Sequence, residues 1–208
     1  MKYPDDFIDK VICGDCLEVM KDIPDNSVDL VLTDPPYNVN KAKWDIYPIG
    51  SIKEMWRCCN MGMLVFWDAY KILQFPNEIN VEQKGILIWH KPNCYINMWD
   101  KTRLPSQWES IFYFNKNGFF PNAKRGDVLY WDSNPKNHPT EKPLGLMVEL
   151  LQMFGGNLIL DPFLGSGTTA VACKQLNRHF IGIEINPDYC KIAKERLMGV
   201  PDSLFKEV

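Results

Sequence analysis

Apolar runs of strand length recur along the chain, separated by stretches whose apolar residues fall three and four apart. Residues 11–15 (Val-Ile-Cys-Gly-Asp) read as a short buried strand ending on Asp15, and residues 16–21 as a helical turn. Residues 28–33 form a β-branched apolar strand, 51–60 suit a helix, 62–67 a further strand, and 68–73 the start of another helix. Residues 85–89 are a buried-type strand stopped at His90-Lys91-Pro92-Asn93, and 108–115 a strand expected to lie antiparallel at an edge. Residues 93–107 and 116–140 show no periodicity. From 143 to 154, Leu144, Met147, Val148, Leu151 and Phe154 fall at helical spacing between Pro143 and Gly155-Gly156. A strand at 158–160 ends on Asp161, a loop with two glycines leads into a helix through Leu176, 180–184 is the next strand, and Asn186-Pro187 opens a last helix to Met198. Strands apolar on both faces with helices between them predict an α/β protein with a doubly wound, mostly parallel sheet.

Length and composition narrow this picture rather than change it. The 208 residues suit a single domain, 1–208, and 46% hydrophobic with 24% charged residues are ordinary for a globular protein. Without a bilayer-length apolar run or a leader-like start, the expectation is a cytoplasmic protein with no membrane association. Seven cysteines without framework spacing fit reduced thiols. Cys13-Gly14-Asp15-Cys16 lacks a second ligand pair, so it reads as structural and no metal site is expected, and Cys58-Cys59 reads as helix interior.

Charge is uneven within a net −3: residues 1–30 hold eight acids and three bases, and residues 91–142 hold eight bases and five acids. A polyanion would therefore meet the second half of the chain. There, and in the polar loop 38–48 with Lys41, Lys43 and Trp44, cations interleave with aromatics: Tyr95, Trp99, Lys101, Arg103, Lys124, Arg125, Tyr130, Trp131 and Lys136. That mixture suits phosphate contact and base stacking, and it equally suits closing a core.

Two places carry candidate chemistry. The strand at 28–33 stops at Asp34-Pro35-Pro36-Tyr37, where two prolines fix the backbone and leave carbonyls as acceptors beside a carboxylate and a ring. A planar group with an exocyclic NH2 matches such a corner; so does an ordinary turn. Downstream, Gly165-Ser166-Gly167-Thr168-Thr169-Ala170 matches the dinucleotide pattern G-x-G-x-x-G/A, and Glu184 lies 17 residues beyond Gly167. Asp161 at the mouth of that loop would repel a pyrophosphate and favour a cationic ligand such as S-adenosylmethionine over NAD.

Asp34-Pro35-Pro36-Tyr37 together with Asp161-Pro162-Phe163-Leu164-Gly165-Ser166-Gly167-Thr168-Thr169 resembles the S-adenosylmethionine-dependent DNA amino-methyltransferases. The catalytic tetrapeptide precedes the cofactor loop, which resembles the β group, where the Rossmann-like fold is circularly permuted. Ile12-Cys-Gly-Asp15, residues 85–93 and His138-Pro-Thr-Glu-Lys-Pro143 extend the similarity over nearly the whole chain. The resemblance implies methyl transfer to adenine N6 in double-stranded DNA with the target base flipped out, within a restriction-modification setting, with cytosine N4 as the alternative. It implies Asp34, Pro35, Pro36 and Tyr37 as catalytic residues, with Asp34 also facing the cofactor. Asp161, Phe163, Gly165, Ser166, Gly167 and Thr168 would wrap the cofactor's methionine part, Glu184 would bind its ribose, and Asp15 and Cys16 would lie near its adenine. His138, Thr140, Glu141 and Lys142 would complete the pocket, although Thr140 also suits a helix cap and Glu141 with Lys142 a solvated pair. The region between the edge strand and His138 is short, so residues 116–137 form a compact recognition segment, or a homodimer shares the groove. Trp108-Glu109 stands where that family often has His-Glu. An NAD-dependent oxidoreductase and a catalytically silent DNA-binding subunit are the other readings.

Overall fold

The computed structural model describes residues 1–37, 46–93, 106–117, 121, 126–136 and 140–201. In chain order they form β1 (Lys10–Cys13), α1 (Cys16–Met20), β2 (Val28–Thr33), α2 (Ser51–Cys58), β3 (Cys59–Trp67) and a 3-10 helix (Ala69–Gln74). There follow β4 (Gly85–His90), β5 (Trp108–Asn115), β6 (Val128–Tyr130), α3 (Leu144–Phe154), β7 (Leu158–Asp161), α4 (Thr168–Gln175), β8 (His179–Glu184) and α5 (Pro187–Met198). Among the described residues these strands make one eight-stranded sheet in the order β1-β8-β7-β2-β3-β5-β4-β6. Every pairing is parallel except those of β5 with β3 and with β4, so β5 runs against the rest.

The mixed α/β sheet agrees with the expectation in kind and departs from it in places. β5 is antiparallel but internal, with β4 and β6 outside it, because both of its edges find partners. The apolar run of β4 could not reveal that its neighbour would run the other way; periodicity reports burial, not direction. β6, in a segment read as irregular, is three residues with a single buried side chain, Leu129, too short to show a period. The helix expected from 68 is a 3-10 segment broken at Lys71 (φ −110°, ψ 17°). β1 ends at Cys13, and Asp15 instead caps α1 by accepting from the amides of Leu17 (2.8 Å) and Glu18 (3.2 Å). Cys58 closes α2 while Cys59 opens β3, so the pair straddles a junction, with both thiols buried.

Leu30, Val31, Leu32 and Thr33 are successive in β2 and each is 1% exposed or less. Side chains alternate along a strand, so both faces of the sheet are covered here. The apolar stretch that suggested β2 in the sequence is thus the centre of the core. From β7 the chain proceeds to neighbouring β8, and from β2 to β3 on the opposite side. Ligands of doubly wound sheets bind where adjacent connections diverge in this way, beyond the carboxyl ends of the strands. The corner after β2 and the glycine loop after β7 are therefore brought together at that place, although 127 positions separate Asp34 from Asp161.

Side chains lock β2 to β7 at both ends. At the start, Asp29 accepts from the amides of Asn157 (2.6 Å) and Leu158 (2.9 Å). At the other end, buried Asp161 accepts from the Thr33 hydroxyl (2.6 Å), the Thr169 hydroxyl (2.5 Å) and the Phe163 amide (3.1 Å). Its carboxylate therefore points inward as a pin between strand, loop and α4, rather than standing open at the loop's mouth as the sequence suggested.

Burial pushes the Asp161 carboxyl up to about 6, against the lowering effect of the bonds from Thr169, Thr33 and Phe163. The native state then holds a proton that the unfolded chain releases above its ordinary value of 3.8, so this group's stabilisation is full below that pH and lost as pH rises through about 6. Urea unfolding should show wild type losing stability relative to Asp161→Asn between pH 4 and 7, by up to about 3 kcal/mol. A difference that does not change with pH would mean that Asp161 titrates as an ordinary carboxyl.

Candidate active site

At the switch point lies a cavity of about 630 Å³, walled by the β1–α1 turn, the corner after β2, the segment before α3, the β7–α4 loop and the end of β8. Of the residues predicted from sequence, Asp15, Cys16, Asp34, Pro35, Pro36, Tyr37, Thr140, Glu141, Lys142, Asp161, Phe163, Gly165, Ser166, Thr168 and Glu184 all line it. Gly167 does not. It sits at the N-terminus of α4 with φ +89°, and a Cβ there would lie 2.8 Å from that of Ala193, so the glycine permits α4 to approach α5. His138 lies outside the described residues, as do Lys41, Lys43, Trp44, Tyr95, Trp99, Lys101, Arg103, Lys124 and Arg125.

The corner is held from several sides. Asp34 accepts hydrogen bonds from the Tyr37 hydroxyl and from the Lys142 amine. Tyr37 is buried, its ring meets Trp67 edge-on at 5.2 Å, and its carbonyl accepts from Lys71 Nζ at 2.9 Å. Tyr37 thus packs into the cavity wall and holds the Asp34 carboxylate through its hydroxyl. Lys142, expected beside the cofactor, also reaches the corner: its Nζ lies 3.4 Å from Glu109 Oε2 and 5.1 Å from the centre of the Phe66 ring. Burial pulls its pKa down, but Asp34 and Glu109 outweigh burial and hold it above the ordinary lysine value.

The glycine loop is tied down by its neighbours. Gly165, at φ +54°, has open space where a Cβ would project, which leaves its backbone accessible to a ligand. Its amide donates to Glu184 Oε2 at 2.7 Å, and Glu184 Oε1 accepts from Asn186 N at 2.8 Å. Burial pushes the Glu184 carboxyl up despite those two amides. Glu141 is no solvated partner of Lys142: its Oε1 lies 2.8 Å from Arg196 Nη2, and its Oε2 accepts from the Lys136 amide at 3.0 Å. α3 starts at Pro143 without a side-chain cap, and Thr140 stands in the cavity wall. Cys16 is buried, and burial, then Asp15, push its thiol up to about 12, so it is a neutral wall residue and not a nucleophile.

Sequence reasoning missed Arg196. From α5 its Nη1 reaches the Ser166 carbonyl (2.8 Å), the Ser166 hydroxyl (2.9 Å) and the Thr168 hydroxyl (3.3 Å), so it braces the loop from behind. Nothing in the sequence separates it from the surface cations of an ordinary helix end. Glu109, Ile185 and Tyr189 are further lining residues without a local signal. Among the described residues, no three metal-ligating side chains gather into a cluster.

The expected basic face is thinner than the sequence count implies. Lys91 pairs with Glu109 at 3.0 Å, and Lys116 caps α2 by donating to the carbonyls of Trp56 and Cys59 at 2.8 Å each. With Lys142, three of the eight bases are engaged inside the fold. Trp131 donates from its indole to Glu149 at 2.7 Å, and the Cβ missing from Gly145 would lie 2.1 Å from its ring. That aromatic anchors the segment after β6 to α3, while Tyr130 is 67% exposed.

Comparison with known proteins agrees with this site. A family model for N6/N4 methyltransferases, described as DNA methylase, matches residues 28–195, from β2 into α5. The type II methyltransferase M.HpaI of Haemophilus parainfluenzae is 31% identical over 232 residues, covering 90% of this chain and 74% of that protein. M.BglII of Bacillus subtilis is 29% identical over 258 residues, covering 96% and 72%. The crystal structure of the M1.HpyAVI–SAM complex superposes with a TM-score of 0.72 at 28% identity, covering 90% of this chain and 98% of that one. PvuII DNA methyltransferase, specific for cytosine N4, has a TM-score of 0.74 at 18% identity over 91% and 88%, a likeness of fold. Spanning both the corner and the cofactor-type loop, the match shows that this chain belongs to the N6/N4 DNA methylase family.

Proposed function

We propose that the protein transfers a methyl group from S-adenosylmethionine to the exocyclic N6 of adenine in DNA. The observation that carries the reading is the adjacency of Asp34 and the glycine loop across the parallel β2–β7 pair, around one shared cavity. The wall fits the cofactor. It carries the acids Asp15, Asp34, Glu141 and Glu184, with Asp161 turned inward behind the loop, and its lysine is already paired with Asp34 and Glu109. Such a wall suits an ammonium and a sulfonium and disfavours a pyrophosphate, which argues against NAD. The backbone at Gly165 would approach the methionine part, and Glu184 would accept from ribose hydroxyls.

When bound, S-adenosylmethionine supplies an electrophilic methyl on its sulfonium. Asp34 and the Pro35 carbonyl would accept hydrogen bonds from the target NH2, draw the nitrogen lone pair out of ring conjugation, and stabilise the positive charge that grows as the new C–N bond forms and the S–CH3 bond breaks to leave a neutral thioether, the methylated amine then releasing one proton to solvent. These interactions strengthen toward the transition state, which is where they accelerate the reaction. No covalent enzyme intermediate is required, consistent with the neutral buried Cys16. A base stacked in duplex DNA cannot reach this depth, so it would be flipped out at a cost of about a few kcal/mol. Segment 116–137, anchored by Trp131 and carrying exposed Tyr130, would face the DNA.

Adenine is preferred over cytosine because the corner begins with Asp, the form more typical of adenine enzymes. Nucleoside mass analysis of DNA from expressing cells should show N6-methyladenine; N4-methylcytosine would replace adenine with cytosine as the target. Asp34→Ala should lower methyl transfer by roughly 100-fold or more while calorimetry still records cofactor binding. Near-wild-type transfer by that variant would overturn the mechanism. Binding of NAD without binding of S-adenosylmethionine would overturn the cofactor assignment.

A further inference from the structure

Four charged side chains from four parts of the chain form a line of alternating sign that ends at the reacting corner. Lys91 follows β4, Glu109 belongs to β5, Lys142 precedes α3, and Asp34 follows β2. Lys91 Nζ lies 3.0 Å from Glu109 Oε1, Glu109 Oε2 lies 3.4 Å from Lys142 Nζ, and Lys142 Nζ bonds Asp34. Side-chain exposure falls to 6% at Lys142, whose amine also lies 6.0 Å from the centre of the Trp89 ring.

Stability gives a poor account of this line. A buried ion pair is seldom more stabilising than apolar residues filling the same volume, and each charge here demands its partners. Charge at the site gives a better account. A target amine becoming positive needs a net negative acceptor, and Asp34 paired with Lys142 alone would be neutral. Glu109 offsets the Lys142 charge beside Asp34, and Lys91, which balances Glu109 in turn, stands at the far end of the line, so the corner keeps a negative field while the lysine still fixes the carboxylate in place.

We propose that Glu109, acting through Lys142, is a positioning residue for Asp34: the lysine orients the carboxylate, and the glutamate preserves its negative field and holds the lysine. The inference rests on the reading that Asp34 receives the target amine. Among the described residues, the charged or titratable groups facing Asp34 include Lys142, Glu109, Tyr37 on its own corner and Asp161 at the end of β7.

The test measures transfer of labelled methyl groups from S-adenosylmethionine to unmodified DNA bearing the target sequence, with calorimetric cofactor affinity and thermal melting alongside. Glu109→Gln, close in shape, should lower kcat about tenfold and leave cofactor Kd and KM for DNA within about twofold. Lys142→Met should lower kcat and move the acid limb of its pH profile upward, because Asp34 then faces Glu109 and Asp161 without a cation. Adding Glu109→Gln to Lys142→Met should bring that limb part of the way back, a recovery that a packing role would not produce. Wild-type kcat in Glu109→Gln, or a loss matched by weaker cofactor binding, overturns the proposal. If Lys142→Met does not fold, Glu109→Gln alone decides. Asp34→Ala in the same assay separates the two levels. Activity in that variant removes the underlying reading, whereas an inactive Asp34→Ala beside a fully active Glu109→Gln removes only this inference.

Discussion

The Asp161 carboxylate takes hydrogen bonds from Thr33, Thr169 and the Phe163 amide, and through them sets the spacing between the two halves of the site. Thr33 is the last residue of β2, so its neighbour Asp34 is placed by the same bond. Phe163 and Thr169 bracket the glycine loop, so the loop is placed too. In-line transfer needs donor and acceptor atoms aligned to within a fraction of an ångström, which a loop on a loop could not maintain. Here both loops leave adjacent parallel strands, and one buried acid joins them at the point of departure. The Asp29 bonds to the amides of Asn157 and Leu158 keep the far ends of those strands in register.

The same economy governs charge. The cavity gathers carboxylates whose mutual repulsion would be expensive if all faced it equally. The fold orients them apart. Asp161 turns into the core with a carboxyl pushed up to about 6, Glu184 is held by two backbone amides, Glu141 is held by Arg196, and Asp34 is held by Lys142 and Tyr37. What remains is an acid-lined space suited to a doubly cationic cofactor end, which would itself relieve part of the repulsion. On this view apo and loaded protein differ most in electrostatics near the β2–β7 crevice, and the bracing by Arg196 keeps the loop from relaxing outward when the cofactor is absent.

Much of this was legible in the sequence because the decisive signals are local. A β-branched run ending in Asp34-Pro35-Pro36 announces a strand and a rigid corner, and two glycines after Asp161 announce a tight turn before a helix. The long helices α3 and α5 followed from spacing and caps for the same reason. What was not legible depends on pairs distant in the chain. Lys142 lies 108 positions from Asp34, and only the sheet order brings β5, and with it Glu109, alongside. The placement of β5 inside the sheet, the existence of β6 and the bracing role of Arg196 belong to this class. Local pattern also did not show that Gly167 packs against Ala193 or that the Tyr37 ring meets Trp67 edge-on.

The fate of the basic residues shows why a count of charges is a weak guide to a DNA surface. Lys91, Lys116 and Lys142 fall in the basic half of the chain, yet one pairs with Glu109, one caps a helix and one grips the Asp34 carboxylate. A cation held internally releases no counterions from a phosphate backbone and adds nothing to the salt dependence of binding. The acids in the cavity wall would repel phosphates and admit a neutral base. Backbone contacts must therefore come from the rim, and the interior selects by hydrogen-bond donors. An amino group satisfies Asp34, while a ring lacking one would leave that carboxylate and the Pro35 carbonyl without a donor. On the proposed mechanism, discrimination of the target atom follows from the same acceptors that would activate it, and discrimination of sequence is left to the rim.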